Sequence, residues 1–174
     1  MESTQQFNEV DAAFMKAALD EAREAAAAGE APIGAVVVFE GNIIASGHNC
    51  REIHASPSAH AEFLALCEAS RRLKRWRLTG CTVYVTLEPC LMCAGLMQQA
   101  RIDRCVYGAS DPKGGALGTL YSIHADERLN HNFEVSAGLC AEESSALLSE
   151  FFAGLRSQKT VRGKHVLGKT GTGS

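Results

Sequence analysis

The stretch HAEFLALCEASRRLKRWRLTGCTVYVTLEPCLMC, residues 60–93, holds two polar clusters and the strand around which the rest of the chain is arranged. The first cluster is His60-Ala61-Glu62, which opens a helical stretch, and the second is PCLMC at residues 89–93. Between them, residues 82–87 alternate in the manner typical of a β-strand. The stretch therefore predicts a helix, a strand and a second helix, with a polar cluster at the start of each helix.

Three of these side chains form a candidate metal site. Zinc favours imidazole nitrogen and thiolate sulfur, and a catalytic zinc keeps three protein ligands and one position for water. His60, Cys90 and Cys93 are such a set. A helix that begins near Leu91 brings both sulfurs to its first turn, where the helix dipole favours thiolate. Because residues two apart do not share a face of a regular helix, Glu62 is predicted to be a base beside the metal rather than a fourth ligand.

Each cluster taken alone has a simpler interpretation. A single C-x-x-C is more often a redox pair or half of a structural zinc site, and an isolated H-x-E is nearly uninformative. In this order, with a strand between them, the two clusters match H-x-E followed by P-C-x-x-C, the signature of the zinc nucleobase deaminases. The combination therefore favours a catalytic zinc site.

Within that superfamily the chain resembles the bacterial tRNA adenosine deaminases. The resemblance extends from about Phe14 to Arg156, nearly the whole chain. It rests on the segments APIGAV (31–36), GHN (47–49), HAE (60–62), YVTLEPCLMCAG (84–95), GASD (108–111) and LLSEFF (147–152). The fold that it implies is the cytidine-deaminase-like α/β fold, with three layers and a central five-stranded mixed sheet covered by helices on both faces.

The resemblance also implies an activity and a set of site residues. The activity is hydrolytic deamination of adenosine to inosine at the wobble position of a tRNA anticodon. One Zn²⁺ per subunit is held by His60, Cys90 and Cys93, and Glu62 is the general base. The implied partners are the tRNA anticodon loop and a second copy of the chain in a homodimer. The implied substrate-binding residues are Asn49, Pro32, Ile33, Leu87, Ala109 and Asp111.

Several of these assignments have structural alternatives. Pro32 also fits the entry of a strand, and Asn49 also fits a turn. For the whole chain, one alternative is a sister enzyme that acts on guanine, cytosine or a nucleoside with the same zinc and glutamate. The other is a non-catalytic zinc module that only binds RNA. Asp111 and its loop favour an RNA substrate, and the presence of Glu62 favours catalysis.

Composition narrows the class of protein. The chain has 174 residues, 46% of them hydrophobic, enough for one domain, which we assign to residues 1–157. There is neither a signal peptide nor an apolar run of membrane-spanning length, so we expect a cytoplasmic protein without a membrane partner. Seven cysteines, an odd number, fit a reducing compartment rather than a disulfide framework.

The net charge of −3 argues against a strongly basic nucleic-acid coat. Cations are nevertheless concentrated in residues 71–77, which include Trp76, and in residues 158–174, predicted to be a basic and disordered C-terminal tail. Either segment could meet phosphates, and either could equally be a solvated surface.

Hydrophobic periodicity supplies the remaining elements. We predict a helix over residues 8–28, a hairpin of strands at 33–39 and 43–46, strands at 102–107 and 133–136, and a last helix over 140–156. Residues 120–131 give a weaker indication of a further helix. The alternation of strands and helices predicts a central mixed sheet with helices on both faces.

Overall fold

A computed structural model of the chain describes residues 7–167, in which five strands alternate with four α-helices. The elements are α1 (Glu9–Ala27), β1 (Gly34–Phe39), β2 (Asn42–His48), α2 (Ala61–Leu73), β3 (Cys81–Leu87), α3 (Leu91–Ala100), β4 (Arg104–Ala109), β5 (Glu134–Ala137) and α4 (Ala141–Leu167).

The five strands form one mixed sheet in the order β2-β1-β3-β4-β5. β1 is antiparallel to β2 and to β3, whereas β3, β4 and β5 run parallel. Parallel neighbours need crossover connections, and α3 supplies the one between β3 and β4. The predicted five-stranded mixed sheet is therefore confirmed.

Both faces of the sheet are covered by helices, which gives the three layers. Successive strand residues point to opposite faces. Val83 and Val85 of β3 pack in the cluster that contains Met97 of α3 and the apolar face of α2. Tyr84, between them, packs in the cluster on the other face with Met15 of α1. The sheet thus places α2 and α3, which begin with the two polar clusters, on the same face.

α1 confirms the first predicted helix almost to the residue. Its N-cap is Asn8, whose side chain accepts from the backbone N–H of Asp11, while the Asp11 side chain accepts from the N–H of Asn8. This reciprocal capping box satisfies N–H groups that a helix start leaves unpaired. Gly29, with φ of +82°, follows the helix end and takes the left-handed conformation that glycine adopts at little cost.

The C-terminal part of the chain differs from the prediction. α4 begins at Ala141 and continues to Leu167, so residues 158–167 are helical rather than part of a disordered tail. The sequence SQKTVR at 157–162 lacks proline, so the residues after the predicted end can continue the helix. Residues 168–174 of the predicted tail lie outside the described residues. The weak helix signal at 120–131 corresponds to one 3₁₀ turn, Ile123–Ala125.

All seven cysteines are free thiols. Among the helices within residues 7–167, none has the length and apolar character needed to span a bilayer.

A buried polar network joins α1 to three strands. Asp11, 4% exposed, accepts hydrogen bonds from the Tyr84 hydroxyl (2.7 Å) and from Nη1 of Arg104 (2.9 Å). Arg104 also donates to Ser136 of β5. Burial raises the pKa of Asp11, but the bonds from Tyr84 and Arg104 outweigh burial and leave the pKa below its ordinary value. The network therefore stabilises the fold through an ionised carboxylate.

We expect Asp11→Asn to reduce the free energy of unfolding by about 3 kcal/mol at pH 7, because it leaves the partly buried Arg104 without its charged partner. Since the folded-state pKa of Asp11 is depressed, its contribution is complete above the unfolded-state pKa and is lost as pH falls through the folded-state pKa. Urea unfolding at pH 6 and pH 3 should therefore show a smaller difference between wild type and variant at the lower pH.

The control is Asp20→Asn on the same helix, because Asp20 is exposed and pairs with an exposed Arg23. That change should cost no more than about 0.5 kcal/mol at either pH. An Asp11→Asn difference that stays constant between the two pH values contradicts the role of the ionised carboxylate.

Candidate active site

The two polar clusters meet at the N-termini of α2 and α3. His60 is the N-cap residue of α2, Cys90 is the N-cap residue of α3, and Cys93 lies in the first turn of α3. Nδ1 of His60 is 3.6 Å from Sγ of Cys90 and 3.6 Å from Sγ of Cys93. The three ligand atoms all lie within 4.8 Å of one another.

These distances fit a tetrahedral zinc ion. With Zn–S near 2.3 Å and Zn–N near 2.0–2.1 Å, tetrahedral angles place a ligand nitrogen and a ligand sulfur about 3.6 Å apart. One imidazole and two thiols are also the donor types that zinc prefers. His60, Cys90 and Cys93 could therefore hold one zinc ion and leave its fourth position open.

The electrostatics of the ligand set favour a thiolate. Hydrogen bonds from Cys93 and from His60 overcome burial and lower the pKa of the Cys90 thiol to about 3. The same interaction with Cys90, together with burial, raises the pKa of Cys93 above its ordinary value. The hydrogen bond to Cys90 raises the pKa of His60. Cys90 is thus favoured as the thiolate, the form that a metal requires, and a metal that binds here would displace the proton of Cys93.

Glu62 lies in the first turn of α2, is 4% exposed and faces the same cavity as His60. Burial raises the pKa of Glu62 to about 7. A carboxyl group with such a pKa can both accept and return a proton at neutral pH, which is the property of a general acid–base.

A cavity of about 570 Å³ opens beside the ligand set, within the range of sites for small molecules. Its lining combines apolar and polar side chains. The predicted site residues that line it are His60, Glu62, Cys90, Asn49, Ile33, Leu87 and Asp111. Seven predicted residues from separate parts of the sequence therefore surround one space.

The other predicted site residues lie outside this lining. Cys93 is fully buried behind the cavity wall, where it can still serve as a ligand. Pro32 and Ala109, to which the resemblance gave substrate contacts, are buried and do not belong to the described lining. Since neighbouring residues of an extended chain point in opposite directions, Ile33 faces the cavity where Pro32 does not.

Asn49 is held in place by the segment that contains Ile33. The backbone N–H of Asn49 donates to the carbonyl of Ile33 at 3.0 Å, and its side-chain amide reaches Oε2 of Glu30 at 3.4 Å. Glu30, which is 2% exposed and lines the cavity, also accepts from the N–H of Ile53 at 2.7 Å. Nothing in the sequence indicated that Glu30 belongs to the site, because an acidic residue after a helix is normally exposed to solvent.

α4 supplies a second part of the site that the predicted site residues did not include. Phe151, Phe152 and Leu155 line the cavity, and the two phenylalanine rings meet edge to face with centroids 5.4 Å apart. Phe151 and Phe152 belong to segment 147–152, on which the family resemblance rests, but their helical spacing alone predicted only packing. Their position at the cavity gives the site an apolar part of its wall.

The basic segment 71–77 lies apart from the cavity, since none of its residues belongs to the described lining. Arg71 and Arg72 pair with Glu68, and the Arg77 guanidinium stacks on the exposed Trp76 ring at 4.3 Å. Three of the segment's cations therefore already have a partner within the chain.

A candidate three-ligand zinc set on the H-x-E and P-C-x-x-C motifs, with a buried carboxyl group and an adjoining cavity, has the features of a zinc-dependent deaminase. Residues 8–109 match the family model of the cytidine and deoxycytidylate deaminase zinc-binding region. The tRNA-specific adenosine deaminase of Bacillus subtilis (strain 168) is 49% identical over 156 residues, which cover 90% of this chain and 97% of the relative. The chain belongs to the tRNA-specific adenosine deaminase family, and zinc is its cofactor.

Solved structures support the same assignment. A structure from studies of A-to-I editing by tRNA:A34 deaminases at the wobble position is similar, with a TM-score of 0.76 and 43% identity. The match covers 78% of this chain and 99% of that chain. A guanine deaminase from Nitrosomonas europaea has a TM-score of 0.70 at 27% identity, covering 82% of this chain and 84% of its own.

Proposed function

We propose that this protein is a hydrolase that deaminates adenosine to inosine at the wobble position of a tRNA anticodon. The observation that carries the proposal is that His60, Glu62 and Cys90 line one cavity with Asn49 and Asp111. The family and the named relatives support the choice of tRNA as substrate.

Zinc bound at this site supplies a water whose pKa is lowered toward neutrality. Glu62 takes the proton of the attacking water and delivers it to N1 of the purine as the water oxygen adds to C6. Glu62 then takes the remaining proton from the oxygen on C6 and gives it to the amino group, which leaves as ammonia while the oxygen stays as the C6 carbonyl of inosine. The buried position of Glu62 keeps these transfers within the cavity and away from bulk solvent.

The cavity has features suited to a base that has been turned out of an RNA loop. Apolar walls from Ile33, Leu87 and Phe151 can contact the faces of a purine, and Asn49 can bond its polar edge. Asp111, a carboxylate in the lining, can accept a hydrogen bond from a ribose 2′-hydroxyl, the group that distinguishes RNA from DNA. Pro32 and Ala109 would contribute to substrate binding indirectly, by shaping the backbone of the segments that carry Ile33 and Asp111.

Guanine deamination is the second candidate, because the fold is also similar to a guanine deaminase. The identity of 27% to that enzyme is lower than the 49% to a tRNA-specific adenosine deaminase. The tRNA substrate is therefore the better-supported assignment. We also propose a cytoplasmic location, which the free thiols and a tRNA substrate support.

The test is ammonia release by the zinc-loaded protein from an anticodon stem-loop with a wobble adenosine, and in parallel from guanine, cytidine and free adenosine. We expect release from the stem-loop. Release from guanine alone would transfer the assignment to a free-base deaminase, and binding of the stem-loop without release would support a non-catalytic module.

We further propose that the protein forms a homodimer through an apolar patch beside the metal site. The patch consists of Leu91, Met92, Leu120 and Tyr121, each at least 36% exposed. Cys90 forms a β-bridge with Gly115, whose carbonyl accepts from the N–H groups of Leu120 and Tyr121. The patch therefore adjoins a metal ligand, and exposed apolar patches of this kind commonly mark interfaces.

Sedimentation velocity at micromolar concentration should show a dimer for the wild-type chain and a larger monomer fraction for Leu120→Glu, which puts a charge into the patch. Val10→Glu is the matched control, because Val10 is exposed on α1, which packs on the other face of the sheet. A monomeric wild-type chain would overturn the proposed dimer. Equal dissociation of both variants would overturn the assignment of the interface to this patch.

A further inference from the structure

Glu88 is a buried carboxylate that the proposed chemistry does not use. It is 2% exposed and follows Leu87 at the end of β3. Oε1 accepts from the backbone N–H of Leu117 at 3.1 Å and of Thr119 at 3.0 Å. Oε2 accepts from the N–H of Asp111 at 3.0 Å and from the Thr119 hydroxyl. All four donors belong to one loop, residues 111–119.

The loop closes tightly around this carboxylate. A Cβ added to Gly115 would lie 2.3 Å from Oε2 of Glu88, so no side chain fits there without displacing the carboxylate. Ala116 donates to the carbonyl of Pro89 at 2.9 Å, which joins the loop to the turn that contains Cys90. The path of the loop is thus determined by Glu88 and by the metal-ligand turn together.

Packing alone does not account for a carboxylate at this position. Burying an ionised carboxylate is costly unless donors replace its water. Among the ion pairs of the described residues none involves Glu88, so the loop N–H and O–H groups supply the compensation. Charged hydrogen bonds are stronger and more directional than neutral ones, so they fix the loop backbone in one arrangement.

We infer that Glu88 is a positioning residue whose carboxylate, bound by loop 111–119, keeps Asp111 at the cavity for contact with the RNA substrate. The inference rests on the proposed function, in which Asp111 meets the substrate ribose. Glu88 also lines the cavity, but both of its carboxylate oxygens are bound to loop 111–119, so its loss should weaken substrate binding more than the chemical step.

The test compares Thr119→Val with Thr119→Ser. Thr119 is exposed, so neither change should prevent folding, and only valine removes the hydroxyl that donates to Glu88. We expect valine to raise the KM for the anticodon stem-loop about tenfold, the size of one charged hydrogen bond, with kcat changed by less than about twofold. Serine should restore the wild-type KM. Glu88→Gln should raise KM further.

Hydrogen exchange of the Asp111 amide gives a readout that does not depend on activity. Thr119→Val and Glu88→Gln should accelerate this exchange at unchanged zinc content. Unchanged KM and unchanged exchange in Thr119→Val overturn the inference, as does a fall in kcat at constant KM. If Glu88→Gln does not fold, the comparison of Thr119→Val with Thr119→Ser is enough to test the inference. Failure of the wild-type chain to deaminate the stem-loop is a separate result, which overturns the proposed function.

Discussion

Glu62→Gln is expected to lower turnover on the anticodon stem-loop by at least about 10³-fold while zinc stays bound, because general acid–base catalysis by one positioned group contributes about 10²–10⁴-fold. Glutamine has nearly the same shape but cannot accept a proton at neutral pH. Glu62 serves at more than one proton transfer, so its loss should approach the upper part of that range. Inosine formation and zinc content per chain are the two measurements.

The control is Glu68→Gln on the same helix. Glu68 is on the solvent side of α2, where it pairs with Arg71 and Arg72, and none of these residues lines the cavity. Its replacement should leave turnover near the wild-type value. Turnover by Glu62→Gln within about tenfold of wild type would assign the proton transfers to another group.

Cys93→Ser is expected to weaken zinc binding by more than about 100-fold, which exceeds the usual effect of changing a residue that only supports a ligand. Cys93 is fully buried in the first turn of α3, with its sulfur 3.6 Å from Nδ1 of His60. A hydroxyl there cannot replace a thiolate as a soft ligand. Both activity and the stabilisation that zinc gives the fold should therefore be lost.

Thermal unfolding with and without zinc measures this stabilisation. A metal that binds only the folded chain stabilises it by about 2.7 kcal/mol at a free concentration of 100 Kd. Wild type should respond to zinc and Cys93→Ser should not. Cys67→Ser, on α2 and outside the ligand set, should respond like wild type. An equal response of Cys93→Ser would remove Cys93 from the ligands.

The parts of this structure that sequence predicted are those controlled by local chemistry. Asn8 and Gly29 mark the two ends of α1, because helix capping and the left-handed backbone conformation depend on neighbouring residues alone. The three candidate metal ligands could be located from sequence because zinc restricts both residue type and spacing, and Cys90 and Cys93 lie one helical turn apart. The five-stranded mixed sheet follows from the alternation of strands and helices, with β1 and β2 joined by a short hairpin.

The residues that sequence did not predict depend on tertiary contacts. Nothing near Glu30 or Glu88 in the chain indicates burial, which arises because distant N–H groups of Ile53 and Thr119 reach their carboxylates. The length of α4 was underestimated, because a periodic hydrophobic pattern that stops at Leu155 does not show whether the helix continues beyond it. For the same reason, periodicity could not separate a packed Phe151 from one that lines a cavity.

The central claim is that the chain converts a wobble adenosine to inosine in RNA. The most direct measurement is the position of inosine, read by sequencing, in an anticodon stem-loop incubated with zinc-loaded protein. A matched stem-loop carries its adenosine elsewhere in the same loop. Inosine at the wobble position of the first stem-loop and none in the second is the predicted result. No inosine in either stem-loop, with ammonia released from free guanine, would contradict the account.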